Sequence, residues 1–216
     1  MKKTALITGA TRGIGRAIAE ELGKDHHIYA GASTDASEVV AALPSAEPFV
    51  ADLTDTDAIL RAAAQIEQLD VLVLCAGVME HGPLEQLDDA AWRRMMEVNL
   101  FAPVTLTRAL LPALRRQRGL LITLNSGAGF HGIADNSGYC ASKFALRGFT
   151  ESLQLEEAGK IRVTSLHPGR TDTDMLAGDD ALPKMPATEV AKAARLAVDA
   201  GPDAVVEFLR VRPSAS

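Results

Sequence analysis

Along this chain, short unbroken apolar runs alternate with stretches of helical period. The runs "KTALITG", "HHIYAGA", "EPFVAD", "LDVLVLCAG", "GLLITLNS", "KIRVTSLHPG" and "DAVVEFLRV" are rich in Val, Ile and Leu, and their length and flanks predict seven strands. Between them, "GIGRAIAEELG" places Ile14, Ile18 and Leu22 at i, i+4 and i+8, and "DTDAILRAAAQIEQL" places Ile59 and Ile66 one heptad apart. Both patterns predict amphipathic helices, and Thr54 followed by Asp57 predicts a capping box at the start of the second. Strands that are apolar on both faces belong in a parallel sheet covered by helices. The expectation is therefore a doubly wound α/β fold, a single domain over residues 1–216. One segment interrupts the pattern: "AGDDALPKMPA", residues 177–187, has two prolines, a glycine and paired aspartates. It predicts a mobile connection, part of a short substrate loop around 174–187.

Composition narrows the function classes. A formal net charge of −6 disfavours general binding to nucleic acid or to anionic membrane surfaces, both of which select basic patches. The opening "MKKTALITGATRGIG" lacks the apolar core of a signal peptide, and no run of about 20 apolar residues follows; a cytoplasmic location is expected. The two cysteines, Cys75 and Cys140, lack CxxC spacing and a histidine cluster, so no disulfide framework and no metal site is predicted. Both read as small buried packers.

The first predicted strand and helix meet at "LITGATRGIG". Gly9, Gly13 and Gly15 allow a sharp turn and a close backbone approach, and the helix that opens there offers free N–H groups to an anion. The first strand-to-helix crossing is where dinucleotide phosphates sit in this architecture.

The Gly-x-x-x-Gly-x-Gly spacing, taken with a Tyr-x-x-x-Lys in "GYCASKFALRGFTESL" at 138–153, resembles the short-chain dehydrogenase/reductase family. The resemblance extends over nearly the whole chain through "ADLTD" at 51–55, "CAGV" at 75–78, "EVNLFAP" at 97–103, "LITLNSGAG" at 121–129 and "HPGRTDTDM" at 167–175, all in family order. It implies a Rossmann-type fold and transfer of hydride between a nicotinamide cofactor and a carbonyl or alcohol substrate. A noncatalytic dinucleotide-binding protein that senses redox state is the alternative reading.

On a helix, Tyr139 and Lys143 share one face. A neighbouring ammonium favours the phenolate, so a phenol with an ordinary pKa of about 10 is expected to move toward working pH, where it can act as general acid and base. As resembling enzymes use them, Tyr139 gives its proton to the carbonyl oxygen and Lys143 also binds the nicotinamide ribose. The family pattern places the active serine at Ser126, thirteen residues before Tyr139, as a second donor to the same oxygen. Asn99 matches the family's asparagine that holds a water near the lysine.

The resemblance also sets out a cofactor surface. Gly9, Thr11, Arg12, Gly13, Ile14 and Gly15 would hold the phosphates; Asp52 and Leu53 the adenine; Ala76 and Gly77 the adenine side of the cleft; and Pro168, Gly169, Thr171 and Thr173 the nicotinamide. A carboxylate at the end of the second strand would select NAD, but Ala32 stands there. Arg12 and Ser33 therefore favour NADP, with NAD as the alternative; Arg12 is equally readable as a solvated helix-entry charge.

Three departures from the family pattern bear on the site. Leu74 and Cys75 replace residues that are usually polar. Arg170 stands at a position more often apolar, and either meets an acidic substrate group, points to solvent, or pairs with Asp172 or Asp174. The region after the proline-glycine block is brief, which predicts a comparatively open substrate pocket. The family also implies a homodimer or homotetramer, built by pairing the helices around 90–116 and 138–158.

Overall fold

A computed structural model of the chain describes residues 2–179, 181–201 and 203–214; within the expected substrate loop, Asp180 lies outside the described residues. Seven strands form one parallel sheet in the order β3-β2-β1-β4-β5-β6-β7: β1 (Lys3–Ile7), β2 (His26–Ala32), β3 (Ala46–Val50), β4 (Val71–Leu74), β5 (Leu120–Leu124), β6 (Arg162–Pro168) and β7 (Phe208–Val211). Among the described residues, seven α-helices accompany them: α1 (Gly13–Leu22), α2 (Ser37–Ala42), α3 (Thr56–Ala63), α4 (Asp89–Met96), α5 (Ala102–Gln117), α6 (Ser137–Glu156) and α7 (Ala187–Asp199). Among the described residues, no helix is long and apolar enough to cross a membrane.

The unbroken apolar runs arise because the strands are buried on both sides. Ala5, Ile7, Val71, Val73, Leu120 and Ile122 face one layer, with Ile18 and Leu22 of α1 and Val190 and Ala194 of α7. Leu6, Leu72, Leu74 and Leu121 alternate with them and face the other layer, with Ile59 of α3, Leu106, Leu110 and Leu114 of α5 and Leu153 of α6. Successive strand residues point to opposite faces, so a strand covered on both sides needs an apolar residue at every position. The outer helix α7 is tied to the first half of the sheet by Arg195, whose two terminal nitrogens donate to the Asp25 carboxylate at 2.8 and 2.6 Å.

Three local expectations change. The N-cap of α3 is Asp55, whose Oδ1 accepts from the Asp57 and Ala58 amides at 2.9 and 3.1 Å. Thr54 turns back instead and donates its amide and hydroxyl to Asp52 Oδ1 at 2.9 and 2.8 Å. The helix stops at Ala63, although Ile66 and Leu69 beyond it are buried core residues; burial continues the apolar pattern after the helical period has ended. The last strand is confined to Phe208–Val211, since its pairing with β6 begins at Ser165↔Phe208.

Strand order reverses between β2 and β4, on either side of β1. In such a sheet the crevice at the carboxyl ends of the strands on both sides of the reversal is the place for a ligand.

Candidate active site

The candidate site residues lie in or just after the carboxyl end of a strand, in the first turn of α1, in the turn between α4 and α5, or on α6. Ser33 follows β2, and Asp52 and Leu53 follow β3. The glycine turn follows β1, Ala76 and Gly77 follow β4, Ser126 follows β5, and Pro168 to Thr173 end and follow β6. The order in which these strands stand in the sheet spreads the set into a strip from β3 to β6.

The glycine turn has the shape the sequence predicts. Gly9 and Gly13 take positive φ, 66° and 55°, a region that side chains disfavour. A Cβ on Gly9 would lie 3.0 Å from Ala76 Cα, and one on Gly15 would overlap the Gly9 carbonyl. Arg12 is the N-cap of α1, has no side-chain capping bond, and no acidic side chain occupies the first turn. The amides and positive end of α1 therefore open onto the turn with no acidic side chain in the helix's own first turn to compensate them. This cradle fits a dinucleotide pyrophosphate. Thr173 closes over it, with Cγ2 3.2 Å from where a Gly13 Cβ would stand.

Several contacts hold the strip together. Thr8 Oγ1 accepts from the Cys75 and Ala76 amides at 2.9 and 3.0 Å, fixing the loop after β4 beside the glycine turn. Asn99 is buried in a π-helical turn, Glu97–Phe101, between α4 and α5, an irregularity common at functional sites. Its Oδ1 accepts from the Val78 amide at 2.9 Å, and its Nδ2 donates to the Val78 carbonyl at 2.9 Å and to Ser142 Oγ at 3.0 Å. These bonds lock the loop after β4 to α6.

Ser126 sits at the end of β5 with extended backbone and caps a short 3-10 turn, accepting at Oγ from the Ala128 amide at 3.2 Å. With that lone pair occupied, its O–H remains to donate, and the hydroxyl acts on the Tyr139 phenol by favouring its charged form. Lys143 is buried one turn beyond Tyr139; its Nζ donates to the Leu124 carbonyl at 2.9 Å and lies 5.6 Å from the centre of the Tyr139 ring.

The electrostatics depart from expectation. Burial pushes the Tyr139 phenol up to about 12, with Ser126 pulling the other way, whereas the sequence predicted a shift down toward working pH. Burial also pulls Lys143 down to about 8. The reason is common to both groups: the pocket disfavours each charged form, and the ammonium is directed at the Leu124 carbonyl rather than at the phenol oxygen. Cys75 departs too. It packs against the core but is half-buried rather than fully buried, beside Lys143, and burial pushes its thiol up to about 12. Cys140 is buried as expected.

At the margins of the strip, Ser33 and Asp52 are exposed, and Asp52 holds Thr54. Arg12 reaches the loop after β6, pairing with Asp174 at 3.3 Å. Arg170 pairs with neither Asp172 nor Asp174: it donates to the Asp179 carboxylate at 2.7 Å and the Asp179 carbonyl at 2.8 Å. Thr171 is buried and donates to the Gly169 carbonyl at 3.0 Å, a bond internal to the loop. The loop from Arg170 is pinched at its base by a parallel bridge between Thr171 and Met185, with the Met185 amide donating to the Arg170 carbonyl at 3.0 Å and the Asp172 amide to the Met185 carbonyl at 2.9 Å.

Two residues of the arrangement were not singled out from the sequence. Thr8 precedes the first glycine and reads as one more polar strand end. His167, next to Pro168, stands 3.2 Å from the Ser126 carbonyl through Nδ1; a histidine interrupting an apolar strand was the available signal.

Comparison with known proteins places this geometry. A family model described as short chain dehydrogenase matches residues 3–182. The chain is 35% identical over 183 residues to a 3-oxoacyl-[acyl-carrier-protein] reductase of Haemophilus influenzae, covering 80% of this chain and 76% of that protein. An alcohol dehydrogenase from the archaeon Thermococcus sibiricus, solved with 5-hydroxy-NADP, superimposes with a TM-score of 0.90 at 27% identity, covering 99% of this chain and 97% of that one. A metagenomic short-chain oxidoreductase in complex with NADP superimposes with a TM-score of 0.85 at 32% identity, covering 98% and 97%. The chain belongs to the short-chain dehydrogenase family of NAD(P)-dependent oxidoreductases.

Proposed function

We propose that this protein is an NADP(H)-linked oxidoreductase that interconverts a carbonyl compound and its alcohol, with Ser126, Tyr139 and Lys143 as its catalytic residues and Asn99 organising them. The observation that carries the reading is the buried Lys143 ammonium 5.6 Å from the centre of the Tyr139 ring, held on the Leu124 carbonyl at the carboxyl end of β5, two residues before Ser126, and facing Gly77. The turn at Gly9, Thr11, Arg12, Gly13, Ile14 and Gly15 would hold the pyrophosphate, Ala76 and Gly77 would lie along the cofactor, and Pro168, Gly169 and Thr173 would border its nicotinamide end. Ser33 and Arg12 would meet the 2′-phosphate, and Asp52 with Leu53 the adenine. The bound nicotinamide supplies hydride to the carbonyl carbon, or accepts it from the alcohol.

This chain's own residues handle the proton. With its pKa raised, Tyr139 is fully protonated at neutral pH and donates its O–H to the carbonyl oxygen as that oxygen gains negative charge. Ser126 donates to the same oxygen, then to the phenolate that remains, so the charge is met at both stages by a fixed hydroxyl. Lys143, with an ammonium that titrates near 8, exchanges protons readily at working pH and supplies the positive charge opposite the phenolate. The Asn99 side chain is committed to Val78 and Ser142, so a water kept there would be held by its main chain.

Two bound NADP-type ligands in solved relatives, Ala32 at the end of β2, and Arg12 at the cradle support NADP over NAD. A cytoplasmic location and a homodimer or homotetramer accord with the family reading. The test is a panel of 3-oxo esters, cyclic ketones and aromatic aldehydes followed by NADPH absorbance, with Tyr139→Phe alongside. Turnover by the wild type that falls at least about a hundred-fold in the variant is expected. Equal turnover by the variant removes Tyr139 as the acid, and tight NADPH binding without any turnover favours the noncatalytic sensor.

A further inference from the structure

Ser126 is pinned from several sides, and all but one of the anchors on its main chain are local. Its amide donates to Asn125 Oδ1 at 2.9 Å, its Oγ accepts from Ala128, and its carbonyl accepts from the Gly129 amide at 3.1 Å. The remaining main-chain anchor comes from 41 residues away: His167 of β6, with Nδ1 3.2 Å from the same carbonyl oxygen. That carbonyl can only accept, so Nδ1 carries the proton and Nε2 accepts from the Ser165 hydroxyl at 2.7 Å. Both ring nitrogens are thus satisfied by one neutral tautomer.

The ring is held as firmly as its hydrogen bonds. His167 is 1% exposed. It packs against Phe130 and Phe208, each with ring centres 4.5 Å away, and Phe130 in turn lies 4.3 Å beneath the Arg147 guanidinium. Burial, aided by Arg147 and Lys143 and opposed by the Ser126 carbonyl and Glu151, pulls the imidazole down to about 4, which keeps the ring neutral at working pH.

We propose that His167 is a positioning residue for the Ser126 hydroxyl: by donating to the Ser126 carbonyl it fixes the peptide plane from which the hydroxyl is aimed at Tyr139 and at the substrate oxygen. This rests on the reading of Ser126 as catalytic. Rotation of that plane moves Oγ relative to both partners, and small displacements of a reacting group carry large rate penalties. The effect falls on kcat, because the His167 ring is buried and its polar contacts are to Ser126 and Ser165.

The test separates the two ring nitrogens. His167→Asn keeps a donor near Nδ1, His167→Gln keeps a polar group near Nε2, and His167→Phe keeps the stacking ring and removes both. Each is assayed with the panel carbonyl that the wild type turns over fastest, alone and combined with Ser126→Ala, with NADPH affinity and melting temperature measured in parallel. Expected are a fall in kcat of about ten-fold or more for the Phe and Gln variants, KM and NADPH affinity within about two-fold, recovery in the Asn variant, and no further loss when His167→Phe is added to Ser126→Ala. An Asn variant as slow as the Gln variant, or losses that multiply in the Ser126→Ala background, overturns the proposal. Undiminished turnover by Ser126→Ala removes the catalytic reading of Ser126 and this inference with it, whereas impaired Ser126→Ala with unimpaired His167→Phe and His167→Gln overturns this inference alone.

Discussion

Lys143 Nζ donates to the Leu124 carbonyl at 2.9 Å and stands 5.6 Å from the centre of the Tyr139 ring. With its pKa pulled down to about 8 by burial, against an ordinary value of about 10.4, the folded state binds fewer protons here than the unfolded chain between those limits. Stability therefore rises with pH across that window, because the buried ammonium opposes folding until it is discharged. Lys143→Met is expected to remove this contribution. Its stability relative to the wild type should be greatest near pH 7, by on the order of a few kcal/mol before the lost Leu124 bond is subtracted, and should shrink toward pH 10. Urea unfolding at intervals from pH 7 to 10 measures it; a constant difference between the two proteins contradicts the burial argument.

Tyr139 carries the opposite sign. Its raised pKa keeps the proton in place well above neutrality, so with Tyr139 as the proposed acid, reduction is expected to hold steady from pH 6 to 8. Oxidation needs the phenolate and should rise with pH over the same interval, by as much as ten-fold for each unit. Initial rates in both directions across that range decide the matter, and an oxidation rate that falls as pH rises would count against Tyr139 as the base.

Two glycines give opposite expectations for the same substitution. A Cβ at Gly15 meets the Gly9 carbonyl, which is backbone at the turn, whereas a Cβ at Gly138 meets the Met95 methyl, the end of a flexible side chain. Gly15→Ala is expected to cost about 2 kcal/mol or more and to abolish detectable NADPH binding. Gly138→Ala, inside α6, should be near neutral, since helix propensity offsets the displacement of Met95 by about 1 kcal/mol. Thermal melts with and without NADPH compare them directly.

Arg12 and Asp174 form an exposed pair at 3.3 Å between the cradle and the loop after β6. If Arg12 meets the 2′-phosphate, Asp174 competes with that phosphate for it. Arg12→Ala should weaken NADPH by about ten-fold and NADH by less than two-fold, while Asp174→Asn should strengthen NADPH by about two-fold, the small size reflecting the low worth of an exposed pair. Fluorescence titration of both cofactors supplies the four affinities; equal losses of NADPH and NADH in Arg12→Ala would assign Arg12 to the pyrophosphate alone.

The sheet was legible because burial on both faces forces its signature on the chain: Leu6 packs one way and Ala5 and Ile7 the other, and the few polar positions, such as Thr123 and His167, leave the run readable. The glycine turn was legible because its shape depends on residues next to one another. Apolar content misled where burial and secondary structure part company, at Ile66 and Leu69 beyond α3, and at residues 203–207, which the strand pattern covered but the pairing with β6 does not. Local hydrogen bonding misled at Thr54, where a neighbouring aspartate takes the cap.

What sequence could not convey is what arises between distant segments. Thr8 serves amides 67 and 68 positions away, His167 a carbonyl 41 positions away. The shifts of Tyr139 and Lys143 follow from how completely α6, β5 and the loop after β4 enclose them, and helical spacing alone carries only the proximity of the two side chains. Arg170 found its carboxylate at Asp179 rather than at a nearer residue for the same reason, since the loop folds back upon itself.

That folding back has a further consequence. Because Thr171 and Met185 are joined as neighbours, the backbone leaves the sheet and returns at nearly the same point, like a bead on a closed hook. Residues between Asp174 and Lys184 would be exchanged, shortened or extended with little strain passed to β6 or α7, so if this stretch is the substrate loop we propose, its selectivity would change while Ser126, Tyr139 and Lys143 stay where they are.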